Sequence, residues 1–258
     1  MHYEVSGSGT PVILIHGLFG NLDNLKALAK SLEPHFTVVR IDVPNHGLSE
    51  HWHTMDYPSL AEALISLIDQ LGFDTVDLVG HSMGGKIAMA TALLYPQRIS
   101  KVVAADIAPV SYSPRHNEVF EAMESLSLEQ LISRTAALSH LTSNGIDEGT
   151  AQFLLKNLQR NTHGFSWKLN LSGLKANYQH IIGWSIAADN KVEPYNKPCF
   201  FIRGGDSEYV LPEHKQQIMA QFPNVSVKTL YGTGHWLHAQ KPDIFNRLVT
   251  EFLQKKPD

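Results

Sequence analysis

Apolar positions along the chain fall into two patterns that take turns. Pro11–Ile15, Phe36–Ile41, Thr75–Val79, Ile99–Ala105 and Lys197–Ile202 are short, mainly apolar runs, several of them uninterrupted, which predicts strands buried on both faces, and Val225–Leu230 reads as the last strand. Between them the apolar spacing lengthens to three or four. Leu25, Leu28 and Leu32 share one helical face within Asn24–Leu32, and Leu60, Leu64, Leu67, Ile68 and Leu71 form a second stripe, stopped by Gly72. Ser59-Leu60-Ala61-Glu62 reads as a capping box opening that second helix. Further helices are expected after Ser82 through Tyr95, over Pro212–Phe222, with proline near the first turn, and over Pro242–Phe252. Strands alternating with helices predict an α/β fold, a mostly parallel sheet with helices on both faces.

From Val110 the alternation stops. Val119, Phe120, Met123 and Leu126, then Leu128, Leu131 and Ile132, then Phe153, Leu154 and Leu158 keep helical spacing, with no strand run before Lys197. The expected organisation is a core of residues 1–109 and 190–258 with a helical cap insertion, 110–189, over the strand ends.

Composition narrows the function more than the fold. A chain of 258 residues with 43% hydrophobic residues buries an ample core, and a net charge of −4 lacks the basic excess that nucleic-acid or anionic-membrane binding favours. No nucleic-acid partner is expected, and the oligomeric state is not legible. The single cysteine, Cys199, cannot form an internal disulfide and lies in an apolar run, as a buried structural thiol would. No signal-like segment opens the chain and no run approaches the ~18 apolar residues of a membrane span, so a cytoplasmic protein is expected. Between Ala151 and Ala188 the charged side chains are Lys156, Arg160, Lys168 and Lys175, without Asp or Glu, a locally basic stretch that reads first as a solvated face and second as an anionic-substrate contact. His51-Trp52-His53 has no carboxylate or cysteine cluster beside it and reads as polar loop, so no metal is expected.

The chemistry concentrates in Gly80-His81-Ser82-Met83-Gly84. A buried strand breaks at glycine, presents one serine and continues into a helix, which is the context the G-x-S-x-G nucleophile elbow requires. Strand and helix backbones pass close on either side of such a turn, and Gly80 and Gly84 supply the missing bulk. The helix N-terminus then aims the Met83 N–H at the serine oxygen, as half of an oxyanion hole. His16-Gly17-Leu18-Phe19-Gly20, directly after the first buried strand, offers the Leu18 N–H as the other half. His235, in Gly232-Thr233-Gly234-His235-Trp236 beyond the last strand, follows Ser82 in the order this chemistry uses and is the expected general base. His238 reads as structural or exposed, and Lys86, Ile87 and Met89 as ordinary helix residues.

Taken in order, His16-Gly17-Leu18-Phe19-Gly20, Asn45-His46-Gly47-Leu48-Ser49, Gly80–Lys86, Asp106-Ile107-Ala108-Pro109-Val110 and Gly234-His235-Trp236 resemble the α/β-hydrolase superfamily over the whole chain, and within it the YbfF-type esterases. The resemblance implies hydrolysis of carboxylic esters of small molecules, extending to acyl thioesters, with no cofactor. Menaquinone-pathway lyases or C–C hydrolases of the same fold, and non-catalytic ligand receptors built on it, are the alternatives. Serine at the nucleophile position disfavours dehalogenase and epoxide hydrolase chemistry, which place aspartate there. The triad's acid has two candidates. Most of the superfamily carries it after the strand that follows the insertion, where this chain reads Gly204-Gly205-Asp206-Ser207, with Asp206 one residue early and Ser207 in the acid's place. YbfF-type members carry it in Asp-Ile-Ala-Pro-Val, which favours Asp106 over Asp206.

Overall fold

The computed structural model describes residues 1–162, 164–186 and 192–255. In chain order the strands are β1 (Tyr3–Gly7), β2 (Thr10–Ile15), β3 (Phe36–Ile41), β4 (Val76–His81), β5 (Ile99–Ala105), β6 (Leu158–Asn161), β7 (Gly164–Trp167), β8 (Cys199–Gly204) and β9 (Val225–Leu230). Seven of them form one sheet in the order β1-β3-β2-β4-β5-β8-β9. Every pairing in it is parallel except that of β1 with β3. Side chains alternate between the faces, as the two-residue strand period demands. Ile13, Ile15, Leu78, Val102 and Ala104 pack toward the helices Tyr57–Gln70 and Met83–Leu94. Val12, Leu14, Val79, Val103 and Ala105 pack toward Lys26–Leu32 and Pro242–Gln254.

Three local expectations are corrected. The helix expected to start at a Ser59 capping box starts three residues earlier. Asp56 is its N-cap, the Asp56 carboxylate accepts the Ser59 N–H at 2.8 Å, and Pro58 occupies the first turn, where its missing N–H costs nothing. The segment after β5 is not purely helical. It holds the helices Asn117–Glu124, Arg134–Ser143, Glu148–Leu155, Leu171–Ala176 and Tyr178–Ile182, together with an antiparallel β6–β7 hairpin. Leu158, grouped with the Phe153–Leu154 helix by spacing, is the buried first residue of that hairpin, and Leu128–Ile132 forms turn and irregular backbone. In both places a few leucines at helical spacing lay in stretches that are not continuous helices. The boundary expected at 189/190 lies outside the described residues.

Each of β2, β4, β5, β8 and β9 ends at the same edge of the sheet, so the loops carrying Leu18, Ser82, Asp106, Ser207 and His235 leave from neighbouring strand ends. An open parallel sheet gathers functional groups at that edge.

Candidate active site

The turn after β4 is forced tight by packing. A Cβ on Gly80 would lie 2.1 Å from the Gly84 carbonyl oxygen, and one on Gly84 would lie 2.2 Å from that of Ile15. With no room to relax, Ser82 is held at φ 54°, in the left-handed region that side-chain-bearing residues avoid. Its hydroxyl stands clear of the sheet, and the His235 Nε2 lies 2.9 Å from Oγ.

The other imidazole nitrogen, Nδ1, donates to Asp106 Oδ2 at 2.8 Å. Asp106 directly follows β5, also at positive φ (51°), and is fully buried. Its Oδ1 accepts the Gly204 N–H at 2.9 Å, and its Oδ2 also accepts the Ser207 hydroxyl. Ser207 occupies the place where most of the superfamily carries its acid, and it hydrogen-bonds the acid found one strand away. Asp206 is exposed, with its backbone N–H bonded to the Thr233 carbonyl at 2.9 Å. The geometry therefore joins Ser82, His235 and Asp106 and leaves Asp206 outside.

The imidazole is fixed on further sides. Tyr209 stacks on it with ring centroids 3.9 Å apart and planes 19° from parallel. Tyr112 donates its hydroxyl to the Tyr209 carbonyl at 2.6 Å and accepts the Ala108 N–H at 2.8 Å, tying the stacked ring to the Asp106 loop. His81 donates from Nε2 to the His235 carbonyl at 2.8 Å, and burial holds the His81 ring neutral, its pKa well below the ordinary histidine value. His238 is partly buried against His81, with centroids 4.3 Å apart, and burial lowers its pKa to about 4.

Two more histidines shape the loop bearing Leu18. His16 Nε2 accepts the Val43 N–H at 3.0 Å and His46 Nε2 accepts the Phe19 N–H at 3.2 Å. Each ring donates from Nδ1 to a backbone carbonyl, Gly17 and Pro44 respectively. Accepting an amide at Nε2 requires neutral imidazoles, and burial lowers the two pKa values to about 4 and about 3. Among the described residues neither the Leu18 nor the Met83 amide is hydrogen-bonded, and both residues lie beside Ser82 in the cavity.

That cavity has two lobes meeting at Ser82, Leu18 and His116. One, of about 370 Å³, is bounded by Met83, Lys86, Ile107, Tyr112, Ile181 and Ile182. The other, of about 390 Å³, is bounded by His81, Val119, Phe153, Leu154, His235 and Trp236. Through Thr150, Phe153 and Trp236 the second lobe adjoins a wider groove of about 850 Å³. Arg115 stands over the rings of Tyr112 and Tyr209, 6.0 and 5.1 Å from their centroids.

The basic stretch is dispersed. Lys175 pairs with Glu124 at 2.6 Å, Arg160 lies over the Phe165 ring, and Lys156 lines the outer groove. His51 and His53 are exposed, and Cys199 is buried, which pushes its thiol pKa up. Lys86 was expected to be an ordinary helix residue, but it is 1% exposed and forms part of the first lobe. Helical spacing gave no sign of this, although a lysine amid Gly-Gly and Ile-Ala-Met-Ala is the only charge on an otherwise apolar helix.

A serine hydroxyl bonded to an imidazole that is in turn bonded to a buried carboxylate is an arrangement for nucleophilic acyl transfer. The family model for the α/β-hydrolase fold matches residues 10–242, and the chain belongs to that family. It is 38% identical to esterase YbfF of Escherichia coli (strain K12) over 95% of this chain and 94% of that protein, which sets it among the YbfF-type members. It is also 37% identical to the sn-1-specific diacylglycerol lipase ABHD11 of Mus musculus, over 94% of this chain and 80% of that protein. The solved structure of a marine microorganism esterase superposes with a TM-score of 0.93 at 33% identity, covering 97% of this chain and 98% of that one.

Proposed function

We propose that this protein is a serine hydrolase that cleaves carboxylic esters, and acyl thioesters by the same route, through Ser82, His235 and Asp106. Ser82 Oγ attacks the acyl carbonyl while His235 Nε2 takes its proton. The carbonyl oxygen becomes an oxyanion, held by the Leu18 and Met83 amides. The tetrahedral centre collapses, His235 returns the proton to the departing alcohol or thiol, and the acyl group stays on Ser82. Water then attacks with His235 again as base, releasing the acid and restoring the serine. Asp106 keeps the Nδ1 proton in place and stabilises the imidazolium formed at each step. Residues 110–189 act as a cap whose helices wall the two lobes against water, and no cofactor enters any step.

The observation that carries this reading is the unbroken chain of hydrogen bonds, 2.9 Å from Ser82 to His235 and 2.8 Å from His235 to Asp106. The esterase and lipase relatives support the ester as the bond cleaved. The test is a hydrolysis screen of matched acyl esters and acyl-CoA thioesters. Turnover of both, lost together in Ser82→Ala, is expected; turnover of neither would overturn the reading.

A further inference from the structure

One wall of the first lobe is held by a side chain that no step above uses. Lys86 lies one helical turn beyond Ser82, and its amide donates to the Ser82 carbonyl at 3.1 Å. Its ammonium donates to the carbonyls of Ile182 at 2.8 Å and Gly183 at 2.9 Å. These lie at the C-terminus of the short helix Tyr178–Ile182, where carbonyls lack intrahelical partners. The Tyr57 hydroxyl donates to the Ile181 carbonyl at 2.5 Å and the Tyr112 amide to that of Ile182 at 3.0 Å. Three consecutive carbonyls, 181 to 183, are thus gripped by residues outside their own segment.

The ammonium sits 4.8 Å from the Tyr112 ring centroid and 5.6 Å from that of Tyr57. Burial lowers its pKa to about 7. Carbonyl oxygens and aromatic faces, not a carboxylate, hold this cation.

The two lobes have different duties, given the proposed acyl transfer. His235 must hand its proton to the leaving atom, and it borders the second lobe and not the first. The leaving group therefore departs through the second lobe toward the wide groove, and the acyl group remains in the first, beside Leu18 and Met83. The first lobe is narrow, leaving about 30 Å³ for the centre of a water-sized sphere against about 360 Å³ in the outer groove.

We propose that Lys86 is a positioning residue for specificity: it clamps Ile181–Gly183 so that the Ile181 and Ile182 side chains close the acyl lobe, restricting the enzyme to short acyl groups. The proposal rests on the serine hydrolase reading. Lys86→Met keeps the length of the side chain and removes its donors. The Gly183 carbonyl then loses its partner and must turn to water, and the wall withdraws with it.

The experiment measures kcat and KM for p-nitrophenyl esters of two, four, eight and twelve carbons in the parent, Lys86→Met and Tyr57→Phe. The parent should prefer the two shortest. The four-to-eight-carbon ratio of kcat/KM should fall about tenfold in Lys86→Met and about threefold in Tyr57→Phe, chiefly through KM, the scale that a methylene or two commands in a fitted pocket. A merely structural lysine would lower all four substrates in proportion. Ratios unchanged within about twofold in both variants, or a parent that prefers eight or twelve carbons, would overturn the clamp. If Lys86→Met does not fold by circular dichroism, the Tyr57→Phe ratio decides. Fluorophosphonate labelling of the same preparations separates the two levels. A parent that labels at Ser82 and hydrolyses without chain-length selection refutes the clamp alone, and one that neither labels nor hydrolyses refutes the hydrolase reading beneath it.

Discussion

Replacing Asp106 by asparagine should disable the imidazole without disturbing its surroundings, and the hydrogen bonds around that carboxylate show how. Oδ1 accepts the Gly204 amide and Oδ2 faces both His235 Nδ1 and the Ser207 hydroxyl. An asparagine must keep its oxygen toward Gly204, because the opposite flip would set an NH2 against an N–H in a fully buried site. The amide NH2 then points at Nδ1 and makes it an acceptor. The proton moves to Nε2, which now donates to Ser82 and cannot take the serine's proton. Loss of the productive tautomer and of charge stabilisation should cost up to ~10⁴ in kcat, about 5 kcal/mol of transition-state stabilisation. Asp206→Asn changes an exposed carboxylate outside the chain and should stay within about twofold. The assay is steady-state hydrolysis of a short p-nitrophenyl ester by both variants, with circular dichroism establishing that each folds. A large loss confined to Asp206→Asn, or an Asp106→Asn enzyme within tenfold of the parent, would refute the reasoning.

Two further outcomes follow from the same contacts. Ser207→Ala removes one donor to Asp106 but leaves the Gly204 and His235 bonds, so kcat should drop about tenfold, the cost of one charge-assisted hydrogen bond, with KM little changed; an unaltered kcat would show that the hydroxyl does not support the acid. Asp77 is buried on β4 with Oδ1 unpartnered, and desolvation, opposed by the nearby Lys101 charge, raises its pKa to about 6. The fold therefore prefers the protonated acid, so this group favours folding most below about pH 4 and progressively less up to about pH 6, a change of about 3 kcal/mol at most. Denaturant unfolding of Asp77→Asn relative to the parent should show a stability difference that shifts in the variant's favour between pH 4 and 7, and a difference independent of pH would contradict the burial argument.

Much of the fold was legible because the central strands are covered on both faces and so carry unbroken apolar runs. β1 carried no such run. Tyr3–Gly7 is an edge strand with Glu4 and Val5 exposed, and only its pairing with β3 makes it a strand. The connecting segment was blurred for a related reason. Its elements are short and take their conformation from packing on the core, as Leu158 does at the start of β6. Ser82 and His235 were readable because steric need fixes glycines around a strained turn and orders the loops at the strand ends. Choosing between Asp106 and Asp206 took a family resemblance, since sequence spacing cannot show that β5 and β8 are neighbours whose loops meet at one imidazole. The same contact across strands hid Ser207. Lys86 was hidden because its partners, Ile182 and Gly183, lie almost a hundred positions along the chain.

The central claim, that Ser82 is a nucleophile activated by His235, is tested most directly by mass spectrometry of the protein after brief exposure to a fluorophosphonate. One adduct per chain, located on Ser82, absent from Ser82→Ala and formed orders of magnitude more slowly in His235→Ala, is the expected result. Labelling at another residue, or equal labelling rates with and without His235, would contradict it.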